Sequence, residues 1–178
     1  RNDNQRAIEY FERALNFQSE DNSGGLSQLR SDYGLALYRI REYERAFKQY
    51  KKSLELNEYN ASAHYNLALL LEDFEKYEQA MDHYKFAFKI DDKHVDAYNN
   101  YGLLLMNLKK DYEGALKYFN RAIGIDPGYA FGYFNRGIAL DNLARNREAR
   151  KSFQKVLELT PPESDLYERA VNLLDELG

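Results

Sequence analysis

The feature that most constrains the fold is an internal repeat with a period of 34 residues. Four consecutive segments share one pattern of apolar and polar residues, and they occupy residues 27–60, 61–94, 95–129 and 130–163. The third segment is one residue longer, and the extra residue lies within residues 108–111, between two helical patterns, where a turn tolerates added length. A period of this length is typical of stacked repeats, in which each unit buries its apolar face against its neighbours.

Within each repeat, small and aromatic residues recur at fixed places. Counted without the residue inserted in the third repeat, the eighth place holds Gly or Ala, the twentieth holds Ala, and the twenty-fourth holds Tyr or Phe. Spacings of three and four put side chains on one face of a helix, where small residues let two helices approach and an aromatic ring fills the remaining space. In order, these residues are Gly34, Ala68, Gly102 and Gly137, then Ala46, Ala80, Ala115 and Ala149, then Tyr50, Tyr84, Phe119 and Phe153.

This pattern, with Pro127 and Pro161 at the ends of two repeats, resembles the tetratricopeptide repeat (TPR) family. The resemblance implies an all-α fold, a TPR-type α-solenoid in which antiparallel helix pairs stack into a right-handed superhelix with a concave groove. We therefore expect a single TPR domain over residues 1–178. The sequence departs from the family at the fourth place, where Trp is common and this chain has Arg30, His64, Tyr98 and Tyr133.

The N-terminal segment resembles half of a repeat. Residues 4–18 are predicted to form a lone second helix, because Ala7, Phe11 and Ala14 reproduce the small–aromatic–small pattern. A chain that begins in mid-repeat is expected to be a fragment of a longer protein. The lone helix would present an unpaired apolar face, so the sequence leaves open a homo-oligomer formed through this helix.

Two further segments lie on either side of the repeats. Residues 18–26 contain Gly24 and Gly25 and are predicted to form a flexible loop. Residues 164–177 are predicted to form a capping helix, which covers the apolar face of the last repeat and gives the stack a polar end.

The composition offers little support for catalysis or for a cofactor. The chain has no cysteine, which rules out thiolate zinc sites and thiol nucleophiles. Its histidines, His64, His83 and His94, do not have the spacing of a metal-binding motif, and His64 is predicted to be a packed core residue. The sequence has no glycine-rich phosphate loop. We predict that this segment is not an enzyme and binds neither a metal nor another cofactor.

Charge and hydropathy restrict the partners and the location. A net charge of -4 argues against a nucleic-acid backbone as the partner. The longest aliphatic run, residues 67–71, is far shorter than the ~20 residues of a membrane-spanning helix. No secretory leader pattern opens the sequence, so a cytoplasmic location is favoured, although the sequence does not fix the compartment.

The clearest candidate for a binding site is a row of asparagines in three of the repeats. Asn66, Asn100 and Asn135 occupy the sixth place, which by the family resemblance lines the concave groove. An asparagine amide both donates and accepts hydrogen bonds, so it can hold a peptide backbone without reading its side chains. The row is similar to the asparagine ladder in the repeat domain of O-linked N-acetylglucosamine transferases. Alternatively, these amides bond within the scaffold.

Apolar and acidic residues accompany the asparagines. The ninth place is aliphatic in every repeat, and two aromatic residues, Tyr65 and Phe134, lie nearby in the sequence. Exposed apolar patches mark partner surfaces, although tighter packing would bury this row. With the carboxylates Asp73 and Asp96, the groove predicts a protein or peptide partner that has apolar anchors and basic or neutral flanks. The ninth-place residues are Leu35, Leu69, Leu103 and Ile138.

These features favour a non-catalytic scaffold for protein–protein interaction, which binds a peptide segment of its partner in the concave groove. A clamp for a chaperone C-terminal carboxylate is not expected, because the second place carries no basic residue in any repeat. Two alternatives stay open at this point. In the first, the chain is a targeting or regulatory TPR module of a larger enzyme or complex. In the second, it self-associates through its N-terminal helix.

Overall fold

The computed structural model describes residues 2–17 and 23–178, and this part of the chain is all-α, with ten helices and no strand. The predicted fold class is confirmed. The chain divides into two compact units, residues 1–92 and 93–178. Within the described ranges, no helix combines the length and the apolar character needed to cross a bilayer. The helices are α1 Asn2–Phe17, α2 Ser23–Arg39, α3 Tyr43–Leu56, α4 Ala61–Asp73, α5 Tyr77–Ile90, α6 Val95–Lys109, α7 Tyr112–Ile125, α8 Ala130–Asn142, α9 Asn146–Leu159 and α10 Asp165–Glu176.

The first unit consists of two helical hairpins preceded by helix α1. Helix α2 pairs with α3, α4 pairs with α5, and α4 also packs against α2 and α3. Helix α1 packs against α2, where the Phe11 and Tyr33 rings stack with their centroids 5.8 Å apart. Glu12 accepts hydrogen bonds from the Tyr33 hydroxyl (2.7 Å) and from the Arg45 guanidinium (2.8 Å). Helix α1 therefore has α2 as a packing partner, while Ala7, Phe11 and Ala14 of its predicted apolar face each keep an intermediate exposure.

Helix α2 begins earlier than the glycine pair indicated. The structure has Gly24 and Gly25 in its first turn, so the predicted loop is wrong for residues 23–26, and residues 18–22 lie outside the described ranges. Packing offsets the ~1 kcal/mol that glycine costs in a helix relative to alanine. Leu26 is only 8% exposed, and the fully buried Ser27 hydroxyl donates to the Ser53 carbonyl oxygen at 2.9 Å.

The second unit also contains two helical hairpins, followed by a final helix. Helix α6 pairs with α7 and α8 with α9, while α8 packs against both α6 and α7. The Ser164 hydroxyl accepts a hydrogen bond from the backbone N–H of Tyr167, which caps the start of α10. Helix α10 packs against α9 and α8 and buries its Leu166 and Ala170 side chains.

The phased small and aromatic residues form the centre of each hairpin. The twenty-fourth-place rings are fully buried in all four repeats. A Cβ atom added to Gly137 would lie 2.4 Å from Cε1 of Phe153, and one added to Gly102 would lie 2.7 Å from Cε1 of Phe119. The predicted role of the eighth place is thus confirmed, because the ring occupies the space that a larger side chain would need.

Each hairpin turn contains one non-glycine residue in the left-handed conformation. In three of the four pairs the chain then closes with a hydrogen bond that spans five residues, as from Arg145 N to Leu140 O at 2.9 Å. The third pair closes one residue wider, from Asp111 N to Leu105 O at 3.1 Å, and α6 has 15 residues where α4 and α8 have 13. The longer α6 and the wider turn of this pair thus accommodate the inserted residue of the third repeat. The left-handed residues are Arg41, Glu75, Lys110 and Ala144.

Candidate peptide-binding site

The residues predicted to line a groove all lie on the first helices of the pairs. They form one set in the first unit and another in the second. The first set is Leu35 on α2 with Tyr65, Asn66, Leu69 and Asp73 on α4; the second is Asp96, Asn100 and Leu103 on α6 with Phe134, Asn135 and Ile138 on α8.

In the first unit, the predicted asparagine connects two neighbouring helices. Asn66 is only 7% exposed, and its Nδ2 donates to the Ser31 hydroxyl of α2 at 3.3 Å. Ser31 is itself fully buried. The amide therefore helps to hold α4 against α2, and little of it reaches the surface.

In the second unit, two of the predicted asparagines belong to one chain of hydrogen bonds. Asn135 is 8% exposed, and its Nδ2 donates to Oδ1 of Asn99 at 2.8 Å. The Nδ2 of Asn99 donates in turn to Oδ1 of Asn100 at 3.2 Å. Asn100 is half-buried, which makes it the most accessible of the three predicted asparagines.

The sequence reasoning did not include Ser31 and Asn99 among the site residues. Both occupy the fifth place of their repeat, immediately before the asparagine place. One sequence signal could have identified them. The fifth place is small and polar in two repeats, whereas the other two repeats have the aromatic residues Tyr65 and Phe134 there. A polar residue there accepts a hydrogen bond from the sixth-place amide of the next repeat, as Ser31 does from Asn66.

The aliphatic row remains partly accessible in both units. None of its four side chains is fully buried: each retains an intermediate exposure. Because the residues follow one another on successive first helices, each unit presents two aliphatic side chains on helices that pack together. The row comprises Leu35 and Leu69 in the first unit and Leu103 and Ile138 in the second.

The two predicted aromatic residues differ in their surroundings. Tyr65 is half-buried, with its ring 5.8 Å from that of Tyr84. Phe134 is only 3% exposed, because its ring packs edge-on against Phe153 and the guanidinium of Arg169 on α10 lies 4.6 Å from its centroid. The expectation that Phe134 lines a groove is therefore corrected: it is a core residue beneath α10.

The predicted carboxylates are exposed and each accepts a hydrogen bond from a tyrosine. The Tyr38 hydroxyl donates to Asp73 at 2.6 Å, and the Tyr129 hydroxyl donates to Asp96 at 2.9 Å. Burial and the hydrogen bond to Asp73 raise the pKa of Tyr38, so its hydroxyl stays protonated and acts as a donor. A carboxylate has about four acceptor positions, so these bonds orient each group without exhausting its capacity for a basic partner.

A histidine pair joins α4 and α5. His64 is 8% exposed, which confirms the prediction of a packed core histidine. Its Nδ1 lies 2.8 Å from Nδ1 of His83, and its Nε2 lies 3.0 Å from the backbone carbonyl oxygen of Glu58. Because a carbonyl oxygen only accepts, neutral His64 carries its proton on Nε2 and accepts at Nδ1 from His83.

Burial keeps both rings of this pair neutral. It lowers the pKa of His64, and it lowers the pKa of His83 to about 4, with a further contribution from charge on His64. Among the described residues, no group of three or more histidines and carboxylates is placed to hold a metal ion.

Sequence profiles for the tetratricopeptide repeat match residues 73–130 and 132–163. A profile for subunit 3 of the anaphase-promoting complex (cyclosome) matches residues 1–87. With the phased helical hairpins, these matches establish that the chain belongs to the TPR family. A search of curated protein sequences finds no match.

Several solved structures share the fold. YrrB, described as a TPR protein with an unusual peptide-binding site, is 26% identical over 96% of this chain and 91% of its own, with a TM-score of 0.75. MamA is 22% identical over 96% of this chain and 92% of its own, with a TM-score of 0.73. PilF of Pseudomonas aeruginosa is 23% identical over 89% of this chain and 79% of its own, with a TM-score of 0.71. The likeness to MamA and PilF concerns the fold alone.

Proposed function

We propose that this chain is a non-catalytic interaction scaffold that binds a peptide segment of a partner protein on the first helices of its pairs. The observation that carries the proposal is the aliphatic row, which keeps an intermediate exposure in both units. Accessible apolar surface beside fixed polar groups is typical of a binding site rather than of a solvated helix face.

The likeness to YrrB supports this proposal. That protein is described as having a peptide-binding site, and it resembles this chain over nearly the full length of both. TPR domains in general act by binding other proteins, which agrees with the absence of a catalytic motif from the sequence.

The partner would supply apolar anchors and a basic or neutral flank. Each anchor that packs on Leu69 or Leu103 would contribute about 1–2 kcal/mol, from ~25 cal/mol for each Å² of apolar surface removed from water. The exposed carboxylates of Asp73 and Asp96 would favour a lysine or arginine beside the anchors.

Hydrogen bonds to the peptide backbone would come first from Asn100. Asn66 and Asn135 are largely buried and donate to neighbouring first helices, so they fix the helices that carry the aliphatic row. A ladder in which all three asparagines contact a peptide stays a prediction. The half-buried amide of Asn100 is the position at which to begin its test.

The test replaces the aliphatic row and measures partner binding. Cellular partners are captured on the wild-type chain and identified by mass spectrometry, and peptides from them are measured by fluorescence anisotropy. The double variant Leu103→Ser/Ile138→Ser, on the packed helices α6 and α8 of the second unit, is expected to bind at least tenfold more weakly, a loss of about 1.4 kcal/mol. Leu108→Ser, at a side chain that is already 42% exposed on α6, is the matched control and should bind as the wild type does.

Circular dichroism establishes that each variant is folded. Unchanged binding by the folded double variant would contradict the proposal. Recovery of the chain itself as the main captured species would favour self-association instead. Capture of a single enzyme at a fixed ratio would favour a regulatory module of a larger complex.

A further inference from the structure

A polar cleft in the second unit lies outside the surface formed by the aliphatic row and its asparagines. It has a volume of about 360 Å³ and lies between the second helices α7 and α9, with α8 beneath them. Leu116 and Leu140 are buried at its base. The polar residues of its walls are Glu113, Lys117 and Asn120 on α7, Arg136 on α8, Arg145 in the turn before α9, and Glu148 and Lys151 on α9.

The two carboxylates of the cleft are both engaged by one arginine. Arg145 binds Glu148 through two hydrogen bonds of 2.7 and 2.8 Å, from Nε to Oε1 and from a terminal nitrogen to Oε2. Its other terminal nitrogen lies 3.4 Å from Oε1 of Glu113. Both carboxylates therefore make their hydrogen bonds to Arg145, while Arg136 and Lys151 interact with Glu148 only through longer-range charge.

Arg136 is a half-buried cation without an acidic hydrogen-bond partner. Its Nε donates to the Ser152 hydroxyl at 3.0 Å, and a terminal nitrogen lies 3.5 Å from Oδ1 of Asn120. Its guanidinium also lies 5.1 Å from the centroid of the Tyr133 ring. Burial lowers the pKa of Arg136, and the charge of Glu148, which makes no hydrogen bond to it, only partly offsets this effect.

Two lysines extend this positive charge to the cleft mouth. Lys117 and Lys151 are exposed, and in the described part of the chain neither forms an ion pair with a carboxylate. The lining has four basic and two acidic side chains, so its net charge is four minus two, or +2. The whole chain, in contrast, has a net charge of -4.

We propose that this cleft binds the phosphate group of a phosphorylated peptide segment. A phosphate monoester carries a charge of about -1.5 to -2 at pH 7, which matches the lining more closely than the single charge of a carboxylate. Its oxygens accept hydrogen bonds from the guanidinium of Arg136, and the two lysines add charge from either wall. The Asn120 amide provides a further donor at the same edge.

The test uses a phosphorylated tripeptide as the probe. The full chain, labelled with ¹⁵N, is titrated with acetyl-Gly-phosphoSer-Gly-amide and, separately, with the same peptide carrying unmodified serine. The phosphopeptide is expected to shift amide resonances of α7 and α9 around the cleft, and the serine peptide is not. Lys117→Gln/Lys151→Gln is expected to weaken the affinity at least tenfold. Both side chains are exposed, so this variant should keep the fold.

Two further variants separate the site from general electrostatics. Arg136→Gln should also abolish the shifts, with circular dichroism as the check that α8 still packs. Lys155→Gln is the matched control, because Lys155 lies on α9 outside the cleft and pairs with Glu158 at 2.7 Å. An equal loss of affinity in Lys155→Gln, or equal shifts with the serine peptide, would overturn the proposal.

Inorganic phosphate and lipid vesicles identify the source of the phosphate. Inorganic phosphate is expected to shift the same amides with lower affinity than the phosphopeptide. Binding of inorganic phosphate without binding of the phosphopeptide would overturn the assignment of a peptide ligand. Binding only to vesicles that contain phosphatidylserine would overturn it in favour of a membrane surface.

Discussion

Two tyrosines at the same place of successive repeats have different hydrogen bonding. The Tyr50 and Tyr84 rings are both fully buried in their hairpins. The Tyr84 hydroxyl donates to Glu72 at 2.8 Å, whereas the Tyr50 hydroxyl has no hydrogen-bond partner among the described residues. A buried polar group left without a partner costs roughly 1–3 kcal/mol.

Removing each hydroxyl should therefore have opposite effects. Tyr50→Phe is expected to raise the free energy of unfolding by about 1 kcal/mol, because it removes an unsatisfied group. Tyr84→Phe is expected to lower it by about 1 kcal/mol, because Glu72 then loses its donor. Urea unfolding followed by circular dichroism measures both. Equal destabilisation by the two variants would show that the Tyr50 hydroxyl has a partner, such as a bound water.

At the residue scale, the sequence predicted which side chains are buried better than it predicted which residues they contact. The period of the pattern reports which side chains face a neighbouring helix, so the small and aromatic core residues could be assigned in advance. The bond from Asn66 to Ser31 depends on the distance and rotation between α2 and α4, which no single repeat encodes. Likewise, Phe134 is buried because Arg169 on α10 lies over its ring, and this contact comes from outside the repeat pattern.

The histidine pair makes the contact between α4 and α5 sensitive to pH. The pKa of His83 is about 4 in the folded chain, below the usual 6.5, because partial burial disfavours the charged ring and His64 lies next to it. The folded state therefore binds fewer protons than the unfolded state between these values. The contribution to stability is complete above pH 6.5 and is lost as the pH falls toward 4.

Replacement of His83 by glutamine should reduce this pH dependence. Because the ring is partly exposed and solvent screens its charge, we expect the wild type to lose only about 1–2 kcal/mol between pH 7 and pH 5 through this pair. The measurement is urea unfolding of the wild type and of His83→Gln at both pH values. Subtracting the pH-dependent change in unfolding free energy of the variant from that of the wild type removes the contribution of other titrating groups. The same pH dependence in both proteins would contradict the role assigned to the pair.

At the element scale, sequence reasoning failed mainly where propensity and packing conflict. Gly24 and Gly25 indicated a loop, yet α2 includes them because Leu26 and Ser27 are buried immediately afterwards. Helix propensity is a weak term that tertiary contacts override. The lone N-terminal helix was predicted correctly as a helix but not as a partner of α2, because pairing depends on a neighbour outside its own pattern.

At the scale of the whole molecule, stability in a repeat protein comes from contacts between neighbouring helices. In the second unit, α8 packs against α6, α7, α9 and α10, so it is the helix through which the others are connected. Gly137 lies in this helix, and an added Cβ would meet the buried Phe153 ring at 2.4 Å. A local clash in α8 should destabilise most the helices that pack most extensively against it.

Gly137→Ala is expected to destabilise the second unit by about 1–3 kcal/mol, since the fully buried Phe153 ring must shift to accept the added Cβ. Hydrogen exchange should accelerate most in α8 and α9 and less in α6. Gly124→Ala is the matched control: a Cβ there meets nothing within 4 Å, so the change should raise stability by about 0.5–1 kcal/mol. Uniform acceleration across the unit in Gly137→Ala would show that it unfolds as one cooperative block.

The wider closing turn of the third pair shows how a chain of this kind can accommodate a change in length during evolution. Asp111 N reaches back to Leu105 O, one residue further than its counterparts, yet Gly102 still meets Phe119 as Gly137 meets Phe153. The one-residue gain at this turn therefore leaves the contact between the small residue and the aromatic ring of this pair intact. We expect one-residue insertions at the tips of the other hairpins to leave the helix pairing intact in the same way, because added length there lies outside the packed interior.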